Sequence, residues 1–371
     1  MFIKSYVVVL AVLVPFQGVR AETLPLSQVW QKIHAESSAQ KASDLQVQAA
    51  GEAKDRASRH WLPHVYLDAK SYQTNDPGAS FFGLLSQRSL QQSDFNPDSI
   101  NHPDAHLYTR GALGVDLPLY EGGMKSSQAQ LQEYVLTSQQ KTSSSVQVEQ
   151  YAEVAKAYGA IGVLNQQKQK LTELSQMIER LLKSYQLGVK SNPVGYSGLL
   201  GLRSLSNRLQ GLLKQYEAQS QAYYAGLKEM GLENSNWSPQ FDDSIKYVEK
   251  YLVSKEGVSY KVEAMKESSK VASEAANMEK ARFLPRVGAF AEGYMFNGDR
   301  DTANGYTAGL YLQWNLFNPS DYGTLKEARL KSMAAEKYSE AIEQRERAEG
   351  KALEKAIAAY KENLQLLNDS Q

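Results

Sequence analysis

"GVDLPLYEGGMKSSQ" (residues 114–128) begins in one secondary structure and ends in another. Starting one residue earlier, Leu113, Val115, Leu117 and Leu119 alternate with Gly114, Asp116 and Pro118. That is the period-2 pattern of a strand with two unlike faces. Gly122 and Gly123 then break the alternation, and from there to Leu187 neither a proline nor a second glycine pair interrupts the chain. Leu171, Leu174, Ile178, Leu181 and Tyr185 step by three and four, a helical spacing. A helix over 121–187 would be roughly 100 Å long at 1.5 Å per residue, too long for a compact domain.

The same pieces occur twice. "RHWLPHVYLDAKSY" (59–72) is matched by "ARFLPRVGAFAEGY" (281–294), and the opening stretch by "AGLYLQWNLFNPSDYG" (308–323). Leu62-Pro63 corresponds to Leu284-Pro285, and Leu119-Tyr120 to Leu316-Phe317. Each copy reads helix, strand, loop, strand, long helix. The first helices, over 26–60 and 251–283, end at a Leu-Pro because proline disfavours helix at the preceding residue. Strands are expected at 64–73, 108–119, 286–297 and 306–317, each about the length a tilted strand needs to cross a bilayer. The first copy is longer because of loop 74–107, which reads as a solvated excursion packed on itself through Phe81, Phe82 and Leu84.

After the first long helix, "LGVKSNPVG" (187–195) turns the chain. On the return, over 194–230, Leu202, Leu205, Leu209, Leu212, Tyr216, Gln219 and Tyr223 keep a heptad spacing, which signals coiled-coil packing. Residues 231–250 read as a linker. This divides the chain into a first repeat, 22–230, and a second repeat, 251–371, that stops before any counterpart of the return helix. Leu353, Ile357, Tyr360 and Leu364 are then expected to keep part of their face in water.

Composition narrows the function. The 371 residues carry 41 basic and 41 acidic side chains, so nothing suggests an electrostatic grip on nucleic acid. The absence of cysteine rules out disulfides, thiolate metal sites and an N-terminal lipidated cysteine. His60/His64 and His102/His106 are spaced by four, but Pro63 and Pro103 interrupt both, and no metal site or cofactor is expected. No Ser/His/Asp or Cys/His arrangement and no nucleotide motif stands out, so no enzyme is expected. Residues 1–21 read as a secretory signal: Lys4, an apolar run from Tyr6 to Phe16, then Val19-Arg20-Ala21. That run is too short for a transmembrane helix, and no other stretch qualifies.

A barrel remains open to this chain because its strands give only a faint hydropathy signal. Four strands cannot close one, since an open edge in hydrocarbon leaves backbone groups unpaired. Several chains would have to pool their strands. Leu113, Val115, Leu117, Leu310, Leu312 and Trp314 suit lipid, while Asp116, Gln313 and Asn315 suit a wet lumen. Two aromatic belts are expected at the strand ends: Trp61, Tyr120, Phe283 and Phe317 on the helix side, and Tyr72, Tyr108, Tyr294 and Tyr306 on the loop side.

"LPLYEGG" (117–123), the repeated Leu-Pro and "YQLGVKSNP" (185–193) resemble the strand exit and helical-tip turn of the TolC-type outer-membrane efflux protein family. The resemblance covers nearly all of 22–371. It implies a mixed membrane β-barrel and α-helical coiled-coil barrel, closed as a 12-stranded homotrimer in the outer membrane of a Gram-negative bacterium and extending into the periplasm. It implies a passive duct of a tripartite efflux or type I secretion system, working with a periplasmic adaptor and an inner-membrane transporter. The tip residues Leu187, Gly188, Val189, Lys190, Ser191, Asn192 and Pro193 would contact the adaptor. Val194 departs from the family's frequent acidic residue there, and the missing counterpart of 194–230 is the second departure. The alternative reading is a periplasmic adaptor-like coiled-coil protein of an export complex.

Overall fold

The computed structural model describes residues 22–186, 193–232, 237–240 and 259–369. The expected signal sequence, tip residues 187–192 and most of the expected linker lie outside these. In chain order the elements are β1 (Glu22–Leu24), α1 (Leu26–Glu36), α2 (Ser38–Ser58), β2 (His64–Thr74), α3 (Pro77–Ser86), α4 (Pro97–Asn101), β3 (His106–Glu121) and α5 (Met124–Gln186). Then come α6 (Pro193–Glu229), β4 (Trp237–Pro239), α7 (Tyr260–Ala281), β5 (Arg286–Asn297), β6 (Thr302–Gln313) and α8 (Thr324–Asp369). They form two compact units whose boundaries fall within α2 and α5.

In the first unit, described residues 22–42, 146–186, 193–232 and 237–240, β1 and β4 pair in parallel, Leu24 opposite Pro239. Leu26, Val29, Trp30 and Ile33 bring one face of α1 into a core with Tyr151, Val154, Tyr158 and Ile161 of α5. Both sets step by three and four, so each helix buries one stripe. Trp30 meets Tyr151 edge-on at 5.2 Å between centroids, and Tyr158 stacks on Trp237 at 5.9 Å. The Tyr158 hydroxyl donates to the Leu24 carbonyl at 2.8 Å and accepts from the Gln240 N–H at 2.8 Å. This ties the strand pair to α5. The heptad in α6 holds, but with a different second line. Leu199, Ser206, Ser220 and Leu227 are buried and Leu213 is half-buried, whereas Leu205 is 43% exposed and Gln219 is exposed. Small serines permit close approach of helices, a preference that a search for leucine alone does not reveal.

In the second unit, 43–145 and 259–369, four antiparallel strands order as β2-β3-β5-β6. Gly122 and Gly123, with φ of +64° and +82°, turn β3 into α5. A Cβ at Gly122 would lie 2.6 Å from the Ala281 carbonyl oxygen, so the turn is also too tight for a side chain. Gly323, φ +89°, stands just before α8. Ser138 of α5 donates to the Ala264 carbonyl of α7 at 3.0 Å, and Lys141 pairs with Glu263 at 2.6 Å. Lys266 of α7 pairs with Glu343 of α8 at 3.0 Å. In the single chain Leu353, Ile357, Tyr360 and Leu364 are all more than half exposed.

The structure corrects several boundaries. The helix expected over 26–60 is two, broken at Ser37. The strand expected at 306–317 is shifted to Thr302–Gln313, because β5 begins at Arg286, opposite Gln313, and Pro285 before it offers no N–H. Asn315 therefore lies beyond the strand. Loop 74–107 is a largely exposed cap that packs on itself as expected, Phe81 against Phe82 and Phe95 at 6.0 Å between ring centroids, but it also holds two helices and a 3-10 turn at Gln92–Phe95 that were not expected. Asp76 caps α3 by accepting from the Ala79 N–H at 2.7 Å, and Asn96 caps α4 by accepting from the Asp98 N–H at 3.2 Å. No described helix is long and apolar enough to cross a membrane.

Candidate functional site: a sheet with one polar and one apolar face

Residues opposite one another in register share a face. His64 pairs with Asp116, Asp68 with Ala112 and Lys70 with Arg110; on the other side of β3, Asp116 pairs with Phe290, Gly114 with Glu292 and Glu121 with Arg286. The bulge between Pro118 and Tyr120 brings Glu121 into line. Every Asp, Glu, Lys and Arg of the four strands thus lies on one face. On the other stand Val65, Leu67, Leu113, Val115, Leu117, Met295, Leu310 and Leu312. Leu117 is half-buried; the other seven are exposed, from 37% at Val115 to 78% at Leu67, so among the described residues little covers them.

The charges of the polar face are largely paired. Arg110 binds Glu292, approaches Asp68 at 3.7 Å and lies 5.3 Å from the Tyr294 ring centroid. The Tyr66 hydroxyl donates to Glu292 at 3.1 Å, and the Tyr311 hydroxyl to Asp116 at 3.3 Å. The aromatic rings lie over glycines of the neighbouring strand. A Cβ at Gly114 would fall 2.2 Å from the Tyr66 ring, at Gly288 2.3 Å from Tyr311, and at Gly305 2.6 Å from Tyr294. The result is a wall of hydroxyls and paired charges on one side and hydrocarbon on the other, the arrangement of a boundary between water and lipid.

Of the residues singled out in the sequence, Asp116 and Gln313 lie on the polar face, Gln313 opposite Arg286. Asn315 does not belong to it, for the reason given above. Pro193 begins α6, and Leu187 to Asn192 lie outside the described residues. The helix-side aromatics Trp61, Tyr120, Phe283 and Phe317 are exposed. On the loop side, however, Tyr72, Tyr108 and Tyr294 lie on the polar face, and Tyr108 is buried. Only Tyr306 of those four, 83% exposed opposite Gly293, stands on the apolar face. For Tyr108 the face was countable by strand parity from Asp116; for Tyr72, Tyr294 and Tyr306, on other strands, it follows from the register.

The cap rests on the polar face at the loop end. Tyr108 packs beneath Gly83 of α3 and beside Phe296, and its hydroxyl donates to the Ser80 carbonyl at 3.4 Å. Arg300, in the β5–β6 turn, grips Asp94 with two bonds of 2.7 and 2.6 Å. The Gln87 side-chain oxygen accepts from the Arg300 and Asp301 N–H groups, each at 3.0 Å. Arg300, and then the Gln91 N–H, hold the Asp94 carboxyl below its ordinary range, and Asp94 in turn raises Arg300. These contacts span more than 200 positions of sequence and had no local signal.

No protein-family model and no curated protein sequence matches the chain. Solved structures do. CusC, described in terms of folding and transmembrane channel formation, matches with a TM-score of 0.69 and 12% identity over 90% of this chain and 75% of that one. VceC, an outer-membrane protein of Vibrio cholerae, matches at 0.65 and 12% over 86% and 75%. MtrE, an outer-membrane channel of Neisseria gonorrhoeae in its open state, matches at 0.65 and 12% over 88% and 74%. The chain therefore has the fold of these outer-membrane channels, as the resemblance to the TolC-type family implies.

Proposed function

We propose that the chain is one protomer of an outer-membrane export channel, a passive duct of a tripartite efflux or type I secretion system. The observation that carries this is the sorting of every strand charge onto one face of a sheet whose β2 and β6 edges are free in the single chain. A free edge in hydrocarbon is costly, and further copies remove it by joining β6 of one chain to β2 of the next. Three copies would give a 12-stranded barrel with the apolar face in lipid and Asp116 and Gln313 toward the lumen. The long helices would extend into the periplasm, and residues 187–193 would meet an adaptor protein that couples the duct to an inner-membrane transporter. Each charge of the wall then faces water.

The test is fractionation of cells expressing the chain. A protease-resistant, heat-modifiable oligomer in the Gram-negative outer membrane is expected; recovery as a monomer in the soluble periplasm overturns the reading. Reversing the charge at Lys190 with a bulky substitution at Gly188 should then weaken adaptor co-purification while the oligomer persists.

A further inference from the structure

In α3 the small and polar side chains face the sheet and the large apolar ones face away. Ser80, Gly83 and Gln87, just past its end, are buried, and Gly83 lies against the Tyr108 ring. At about 100° per residue, Leu85 projects almost opposite to them, with Phe81 and Phe82 to either side. Phe82 and Leu85 are 64% and 49% exposed. Phe95 of the 3-10 turn, whose ring centroid lies 6.0 Å from that of Phe81, is 58% exposed. An ordinary surface helix is the reverse, apolar inward and polar outward. The cap lies on the polar face of the sheet, so a bilayer along the apolar face cannot cover this patch.

We propose that the caps of the three copies meet across the barrel axis through Phe82, Leu85 and Phe95 and close the outer mouth of the bore, a contact that rests on the duct reading. Twelve strands about 4.8 Å apart and tilted about 40° make a wall about 12 Å in radius. A helix with its side chains is about 10 Å thick, so three caps resting on that wall cannot keep apart. Area fixes the kind of contact. Taking roughly 150–250 Å² for a whole aromatic side chain, the exposed parts of these three residues amount to on the order of 300 Å² per copy. A stable interface takes about 800 Å² per partner. The patch therefore cannot assemble copies by itself. It closes where the barrel holds the caps side by side, and it is small enough to part when cargo passes.

The experiment places single cysteines in a chain that has none. Outer-membrane oligomers carrying Leu85→Cys, treated with a short bis-maleimide, are expected to give covalent dimers of the chain on a denaturing gel. Leu107→Cys, similarly exposed but on the apolar face of β3, is expected to give none. Closure is read on intact cells with a bulky impermeant maleimide and Gln313→Cys, on the polar face at the end of the sheet away from the cap. Labelling is expected to be slow. Adding Phe82→Ser and Leu85→Ser should speed it about tenfold, a moderate factor for two apolar side chains lost from a contact. Both side chains are exposed, so the fold is expected to be kept, which the melting temperature checks. Leu85→Cys oligomers that react without crosslinking overturn the cap contact and leave the duct standing. Leu85→Cys that neither crosslinks nor reacts overturns it too, by showing another occupant on the patch. Gln313→Cys labelled equally fast with and without the serine substitutions overturns the closure. Absence of any oligomer overturns the duct reading and the cap contact with it.

Discussion

Replacing Arg300 by alanine removes both bonds to Asp94 and leaves a carboxylate whose side chain is 7% exposed with the Gln91 N–H, at 2.7 Å, as its remaining partner. A hydrogen bond to a charged group contributes about 1.5–3 kcal/mol. Arg300 is itself 39% exposed, so solvent screens the pair, and a net loss of about 1–2 kcal/mol is expected. The loss should be local, because the pair joins the 3-10 turn to the β5–β6 turn and touches no helix outside the cap. It corresponds to a roughly five- to thirtyfold rise in opening of the cap. Native-state hydrogen exchange reads this directly, at the amides of Asp94, Asn96, Arg300 and Asp301, with α5 as internal reference. The pH dependence has a fixed sign. Because Arg300 holds the Asp94 carboxyl low, the pair's contribution is present above the unfolded value, about pH 4, and is lost as pH falls through the lower folded value. Arg300→Ala should shrink that acid-side loss to the part that the Gln91 N–H sustains. Unchanged exchange in the cap, or a loss of protection spread through the strands, would refute the assignment of Arg300 and Asp94 as a local latch.

Gly122→Ala should lower the unfolding midpoint by more than Gly123→Ala: both need positive φ, but only at Gly122 would the Cβ meet a backbone oxygen, at 2.6 Å; equal effects in thermal denaturation would contradict the close approach to Ala281. Trp30→Ala, at a residue 2% exposed in the first unit's core, should cost about 3–5 kcal/mol in denaturant titration. Burial raises the Tyr224 hydroxyl, so the stability it contributes is full below the unfolded value of about 10 and is lost as pH rises through the folded one. Tyr224→Phe should flatten that alkaline decline, at the expense of about 1 kcal/mol at neutral pH for the lost bond to the Trp237 carbonyl. If the cap faces the cell exterior, Ser93→Cys, in a chain without cysteine, should react with an impermeant thiol reagent on intact cells; labelling only after lysis would reverse the orientation.

How far the sequence reached can be followed residue by residue. Alternation from Leu113 to Leu119 revealed β3 and put Asp116 on the face opposite Val115, because side-chain parity is local. Thr302 to Gly305 was missed as strand, since Asn-Gly reads as a turn; the glycine fits because the Tyr294 ring covers it, and that is visible only once the strands are paired. The cap's helices were more legible than the reading allowed. Asp76-Pro77 and Asn96-Pro97 each place a capping side chain before a proline at the first helical position. What holds the cap down was not legible, because Arg300 and Asp94 are joined only by the fold.

The rings laid over Gly114, Gly288 and Gly305 have a consequence for what could pass along that wall. Each aromatic is folded down against a neighbour that has no side chain of its own, so the surface is paved rather than studded. Adding one methyl group at any of these glycines leaves the ring no place to lie and forces it up from the sheet. In a closed barrel that displacement would be repeated by every copy of the chain at the same height. Three glycines would then act as graded stops, through which single-methyl substitutions narrow the bore at chosen depths without altering its charge.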